Sequence, residues 1–171
     1  MTTNLSTQIQ PGTYTVDPAR SSCRMIATHV FGLKPVDASM TVERGTVMVG
    51  ADPARSTASA EVAAGSFRSD DPRRDKDIRG KRFLDAGRFP VISFRSTGFT
   101  ADGESRLLTG VLNVRGQDSP VTLAVESAEA TADGCHFTAT CTVDRVAAGV
   151  RAGRAIIART VRITLDLYAT R

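Results

Sequence analysis

The stretch that decides the fold runs from Gly110 to Leu123 and reads GVLNVRGQDSPVTL. Two runs rich in aliphatic and β-branched residues flank a turn built from Arg115-Gly116, Asp118 and Pro120. Glycine supplies the positive φ that a tight hairpin turn requires, and proline cannot continue a central strand ladder. The stretch therefore predicts a β-hairpin.

The same period-two alternation of apolar and polar residues extends over most of the chain. It is clearest in three C-terminal runs, at 121–126, 137–143 and 161–168. Similar runs lie near 13–17, 22–30, 39–49, 57–64, 91–99 and 107–114. Alternation of this length is typical of half-buried strands. Many antiparallel strands with one apolar face each must bury those faces together, which predicts an all-β barrel or sandwich.

One segment departs from this period and predicts a short helix across the barrel. Asp71 suits the N-cap, Pro72 the first helical position and Gly87 the residue after the last turn. Asp75 with Arg79, and Asp77 with Lys81, are oppositely charged pairs four residues apart with the acidic residue first, an order that stabilises a helix. A thin apolar stripe comes from Ile78, Phe83 and Leu84. The dense charge is interpreted as a solvated helix face.

Composition narrows the function classes. The chain has 171 residues, 41% of them hydrophobic and 23% charged, which is typical of one globular domain. Aromatic residues make up 5% and tryptophan is absent, so base stacking and nucleic-acid binding are not expected. No apolar run reaches the roughly 20 residues of a membrane-spanning helix. Residues 1–12 are predicted as a disordered lead without a signal peptide and 13–171 as a single domain, which favours a cytoplasmic location.

The three cysteines, Cys23, Cys135 and Cys141, predict free thiols. Cys135 and Cys141 are six apart on one predicted strand, roughly 20 Å, which is too far for a disulfide. A zinc site from these two and His136 lacks the spacing of known zinc fingers. No nucleophile elbow, phosphate-binding loop or dinucleotide motif is present. We therefore expect neither a metal nor a cofactor.

Across most of its length, from Tyr14 to Tyr168, the chain resembles the YceI-like family of lipocalin-like barrels. The hairpin at 110–123 resembles that family's G-x-L-x-x-x-G-x-x-x-P-V-x-L pattern. Further matches are Val16-Asp17-Pro18, Ser21, His29, Gly45, Arg74-Asp75, Phe83, Phe89 to Phe94 with Ser96, and Asp144-Arg145. Each motif is short, and their order and spacing together carry the resemblance.

The resemblance implies an antiparallel lipocalin-like β-barrel of about eight strands with one short α-helix across it. A barrel of about eight strands is the smallest closed sheet that encloses one ligand. It also implies an elongated pocket for a polyisoprenoid, a quinone tail or a fatty-acyl chain. The leading hypothesis is therefore a barrel that binds a long hydrophobic molecule as a carrier or store. Candidate ligand-binding residues are Ile26, His29, Met40, Phe94, Val111, Leu123, Phe137, Arg145 and Leu165.

The C-terminal third is rich in arginine. Five arginines, with no acid between Asp144 and Asp166, are Arg145, Arg151, Arg154, Arg159 and Arg162. One interpretation places them on solvated loops and strand exteriors. The other places one or two at the pocket mouth, where they would pair with an acidic head group of the ligand. The Gly-punctuated segment 147–155 predicts a mobile loop.

Two other functions remain open at this point. The first is a cofactor-independent cyclase of polyketide or natural-product biosynthesis, which folds an apolar substrate into reactive geometry for a cycloaddition or rearrangement. Replacement of two family histidines by Arg20 and Asp77 favours it. The second is an interaction module with a filled core, which predicts no ligand-sized cavity.

Edge strands in a partly open barrel would in addition favour a homodimer.

Overall fold

The structure is a computed structural model and describes residues 9–29, 35–153 and 157–171, with the side chains of 28, 29 and 157 outside the description. Ten strands make up most of it. They are β1 Gly12–Val16, β2 Ser22–His29, β3 Pro35–Met40, β4 Val42–Val49, β5 Thr57–Ala63, β6 Val91–Asp102, β7 Ser105–Val114, β8 Gln117–Ala130, β9 Gly134–Asp144 and β10 Ile157–Thr170. One α-helix, α1, spans Pro72–Arg79, and single 3₁₀ turns cover Pro53–Arg55 and Ala64–Ser66.

The strands form one closed antiparallel barrel. From β4 to β10 each strand pairs with the next in the chain, and β1 pairs with both β4 and β10. These pairings close a ring of eight strands, with β2 and β3 added alongside β10. The barrel is therefore closed, and the expectation of a partly open barrel was wrong. The all-β class predicted from the alternation and the lipocalin-like barrel implied by the resemblance are both confirmed.

The hairpin at 110–123 forms with a tighter turn than predicted. Val114 pairs with Gln117, and the two residues between them have positive φ, 54° at Arg115 and 73° at Gly116. This is the two-residue turn whose twist suits a hairpin. Pro120 lies within β8 and pairs with Val111, in a part of β8 that has β7 as its described partner. A strand paired on one side tolerates a residue without an N–H.

The ladder between β8 and β9 is incomplete. It runs from Ala124 with Thr140 to Ala130 with Cys135, so within the described residues 117–123 and 141–144 are not paired with each other. We call this unpaired region the β8–β9 seam. The loop at 145–153 is attached there, because the Gln117 side-chain amide donates a 2.8 Å hydrogen bond to the carbonyl of Ala147.

Helix α1 begins where the sequence predicts. The Asp71 carboxylate accepts hydrogen bonds from the backbone N–H groups of Arg73 and Arg74, at 2.9 and 3.3 Å, which caps the first turn. The helix ends at Arg79 rather than near Gly87, and Gly80 occupies the C-cap. The residues that follow form turns instead, because Phe83 and Leu84 turn inward and are buried at 8% exposure. The segment 67–84 thus covers one end of the barrel.

The two ends of the barrel interior differ. One end is tightly packed by a cluster that includes Tyr14, Val16, Cys135 and Ala169, each at most 4% exposed. The predicted run at 39–49 is in fact two strands, because β3 begins at Pro35 and a single residue, Thr41, separates it from β4. The other end, beneath α1 and the loop at 145–153, retains an internal cavity.

Candidate ligand-binding cavity

The cavity has a volume of about 250 Å³. Its wall comes from the inner faces of β2, β3 and β5–β10, together with the segment 67–84 and the loop at 145–153. No residue of β1 or β4 is among the described lining residues, because those strands pack the filled end. A cavity of this size contradicts the hypothesis of an interaction module with a filled core, which predicts no ligand-sized cavity.

The wall is almost entirely apolar. Among the described lining residues, only Arg74, Ser93 and Arg145 carry a side-chain nitrogen or oxygen. The remaining lining is aliphatic, aromatic or sulfur-containing, with Met25 and Met40 among it. Apolar side chains of this kind exclude water and favour an apolar guest over a polar one.

The structure places the nine predicted ligand-binding residues in four groups. Five of them line the cavity: Met40, Phe94, Leu123, Arg145 and Leu165. Phe137 packs against the buried core and is absent from the described lining. Ile26 is 44% exposed on the outer face of β2, and Val111 is absent from the described lining. The side chain of His29 lies outside the described part of the chain.

Ile26 and Val111 lie on the outer faces of their strands, contrary to the prediction that they line the cavity. On β2 the lining residues are Cys23, Met25 and Ala27, and on β7 they are Leu112 and Val114. A register shift of one residue moves every side chain to the other face. Polar residues at alternate positions could have revealed this, because Arg24 shares the face of Ile26.

Two parts of the wall were missed by sequence reasoning. The sequence predicts Phe83 and Leu84 on the apolar stripe of the helix, whereas they line the cavity from the turns after α1. Ala148 and Val150 belong to the loop predicted to be mobile, yet they are buried at 2% and 7% exposure and line the cavity. Neither part has a period-two pattern that would have revealed it.

Arg145 is buried at 8% exposure and is not a solvated arginine. Its Nε donates to the carbonyl of Ala158, and its Nη1 donates to those of Val150 and Ala152, all at 2.8 Å. Burial lowers the pKa of Arg145, and the neighbouring charge of Asp144 opposes this. The guanidinium therefore ties the loop at 145–153 to the start of β10.

Arg74 is likewise held by its own surroundings. Its Nη1 donates to the Ser69 hydroxyl at 3.2 Å and to the Asp70 carboxylate at 3.1 Å. These contacts hold the entry to α1 against the cavity wall.

The residues weighed for a zinc site do not converge. His136 stacks on Tyr168, with ring centroids 4.2 Å apart, and is hydrogen-bonded to Asp166. Cys135 is fully buried among the packed core residues, and Cys141 lines the cavity. Within residues 9–29, 35–153 and 157–171 no three histidine, cysteine or acidic side chains could hold a metal ion.

The buried thiols give a direct test of how well the interior excludes water. Burial raises the pKa of Cys23 from 9.0 to about 12, and raises those of Cys135 and Cys141 from 9.0 to about 11. Because the thiolate is the nucleophile, a rise of two units lowers its fraction about 100-fold at neutral pH. Iodoacetamide should therefore label the native protein at least about 100-fold more slowly than the urea-unfolded protein, measured by intact mass. Equal rates would contradict a closed interior.

Comparisons with known proteins agree with this architecture. The YceI-like domain family matches the chain over residues 14–169. A UPF0312 protein of Enterobacter sp. (strain 638) is 35% identical over 72 residues, which cover 42% of this chain and 38% of that relative. The chain therefore aligns with well under half the length of that relative. Among the described residues, no helix is both long and apolar enough to cross a membrane.

Two solved structures share the fold. Burkholderia cenocepacia BcnA superposes with a TM-score of 0.77 and 23% identity, covering 91% of this chain and 99% of that one. A polyisoprenoid binding domain from Saccharophagus degradans, implicated in plant cell wall breakdown, superposes with a TM-score of 0.65 and 13% identity, covering 92% and 97%. The match over residues 14–169, carried by a closed barrel with one covering helix, shows that the chain belongs to the YceI-like domain family.

Proposed function

We propose that this protein binds a single long hydrophobic molecule in the barrel cavity and acts as its carrier or store. The observation that carries the proposal is an internal cavity of about 250 Å³ with an almost entirely apolar wall. Each CH₂ group buried there contributes roughly 0.8 kcal/mol, so a chain of several carbons is held without polar contacts.

The size of the cavity indicates what part of a ligand it takes. An engineered cavity of about 150 Å³ holds benzene, whereas drug-sized sites measure about 300–1,000 Å³. At about 250 Å³ the cavity lies between these values. It therefore suits one segment of an apolar chain, and a longer ligand must extend beyond it or displace side chains such as Met25 and Met40.

The name of one structural relative supports the ligand class. The Saccharophagus degradans domain is described as polyisoprenoid binding. An isoprenoid, quinone or fatty-acyl tail has the apolar, unbranched or lightly branched shape that such a wall accepts. We extend this ligand class to the present chain because its own cavity has the matching chemistry.

The position of Arg145 favours binding over cyclisation. A cofactor-independent cyclase needs hydrogen-bond donors directed at a carbonyl of the bound substrate. Here the Nε and Nη1 groups of Arg145 donate to carbonyls of the protein chain. A carrier needs no such donor.

Extraction of the purified protein with organic solvent, followed by mass spectrometry, tests the proposal. We expect one apolar molecule per protein chain. When that molecule is incubated with the protein again, its mass should be unchanged. The complementary measurement is calorimetric titration of solvent-extracted protein with dodecanol. Absence of both a co-purifying apolar molecule and dodecanol binding would contradict the proposed function.

A cavity-filling substitution tests whether dodecanol binds inside the cavity. Ala60 lines the cavity on β5, and its neighbour Ser59 is exposed on the outer face. Ala60→Phe should weaken dodecanol binding at least about tenfold, since displacing two CH₂ groups costs that much. Ser59→Phe adds the same ring to the outside and should leave the affinity unchanged. Equal effects of the two substitutions would show that dodecanol binds elsewhere.

A further inference from the structure

Three arginines lie around a second depression, on the outer side of the covered end of the barrel. Arg82, Arg115 and Arg151 line it together with Gln117, Gly149 and Ala152. The depression measures about 400 Å³ and has no acidic residue among its described lining. The three arginines come from the turns after α1, the β7–β8 turn and the loop at 145–153.

These three arginines are not among the ion-paired arginines of the described surface. Six arginines lie within 4.0 Å of a carboxylate: Arg20, Arg24, Arg44, Arg74, Arg79 and Arg159. In the part of the chain that the structure describes, Arg82, Arg115 and Arg151 have no such carboxylate. Arg115 donates a hydrogen bond from Nη1 to the carbonyl of Phe83 at 3.0 Å. Their positive charges are therefore not neutralised by the described protein.

The depression adjoins the cavity at three points of the chain. Arg82, Arg115 and Arg151 are each directly bonded to a residue that lines the cavity, namely Phe83, Val114 and Val150. At each of these points, adjacent residues of the chain thus face the two spaces.

The β8–β9 seam lies between the two spaces. Gln117 and Gly149 line the depression beside the seam, where the Gln117 side chain joins β8 to the loop at 145–153 and no ladder hydrogen bond joins β8 to β9. On the inner side of the same seam, Val121 and Val143 line the cavity. A ligand tail that enters the cavity here breaks no strand pairing, because 117–123 and 141–144 are not paired with each other.

We infer that Arg82, Arg115 and Arg151 bind the phosphate head of an amphiphilic ligand whose apolar tail occupies the cavity. This inference rests on the proposed function and specifies the chemical class of the ligand. Guanidinium groups form paired hydrogen bonds to phosphate oxygens. Three cations around one depression match a doubly charged phosphate monoester better than a singly charged carboxylate.

Three probes with the same tail test the inference: dodecyl phosphate, dodecanoate and dodecanol, each titrated calorimetrically below its aggregation concentration. Exposed ion pairs strengthen binding by up to about fivefold each, so dodecyl phosphate should bind about tenfold more tightly than dodecanol. Dodecanoate should fall between them. The advantage of the phosphate should shrink with added salt, because solvent-exposed charges are screened.

Variants of the full-length protein locate the head group. Replacement of all three arginines by glutamine (R82Q, R115Q and R151Q together) should remove the advantage of dodecyl phosphate and leave dodecanol binding unchanged. Because Arg115 also holds the turn at Phe83, the double variant R82Q and R151Q is tested beside it and should lose most of the advantage. A control with R55Q, R95Q and R106Q removes the same net charge away from the depression and should retain it.

The outcomes separate the inference from the proposed function. Equal affinity for dodecyl phosphate and dodecanol in the wild type would overturn the inference while leaving the proposed function standing. So would dodecanoate binding as tightly as dodecyl phosphate, or an equal loss in the control variant. Failure of all three probes to bind would overturn the inference, and if no apolar molecule co-purified either, it would also contradict the proposed function.

Discussion

Replacing Gly110 with alanine is expected to destabilise the protein by about 3 kcal/mol, as overpacking against backbone does. A Cβ at this position would lie 2.3 Å from the carbonyl oxygen of Arg95 and 2.5 Å from the Phe94 ring. The ring could move, but the carbonyl belongs to the β6 backbone that pairs with β7. The free energy of unfolding in urea, from the shift in midpoint at constant slope, measures this effect.

Gly87→Ala is the matched control. A Cβ at Gly87 meets no heavy atom within 4 Å. Its substitution should therefore change the free energy of unfolding by no more than about 0.5 kcal/mol. If Gly110→Ala were as stable as Gly87→Ala, the close approach of β6 to β7 at this point would be refuted.

Arg145→Met is expected to lower the free energy of unfolding by about 3 kcal/mol. Loss of hydrogen bonds from a charged group and burial of unpaired carbonyls each cost about 1–3 kcal/mol. Methionine fills much of the same volume but leaves the carbonyls of Val150, Ala152 and Ala158 without this donor. The loop at 145–153 should detach first. Hydrogen exchange should therefore accelerate at the Val150 amide, which donates to the carbonyl of Arg145 at 2.8 Å.

Two further substitutions distinguish this role from a general charge effect. Arg159 pairs with Asp144 at 2.7 Å but its side chain is 65% exposed, so Arg159→Met should cost less than about 1 kcal/mol. Arg145→Lys keeps the charge, but a compact ammonium cannot reproduce the planar fork. We expect it to recover less than half of the lost stability. Full recovery by lysine would show that charge alone holds the loop.

The fold could be predicted because its signals are local. Period-two alternation identified the strands, and Arg115-Gly116 identified the hairpin turn, since both depend on residues adjacent in the chain. The Asp71-Pro72 pair identified the start of α1 for the same reason. Gly87 did not identify its end, because the helix stops where Phe83 and Leu84 turn into the cavity.

The candidate site was predicted less completely because a cavity wall is assembled from distant segments. Alternation shows that β2 and β7 each have an apolar face, but it does not show which face is inward, and Ile26 and Val111 lie on the outer one. The burial of Arg145 depends on carbonyls up to 13 residues away along the chain. No local pattern contains that information.

The sequence by itself determined antiparallel strands with one apolar face each and the start of one short helix, because strand period, turn chemistry and helix capping act over a few residues. Only the tertiary structure decided that one end of the barrel is filled and the other hollow. It alone brought Arg82, Arg115 and Arg151 to one depression. The physical reason is that these features depend on which inward faces meet across the barrel, and that is set by closure of the whole ring.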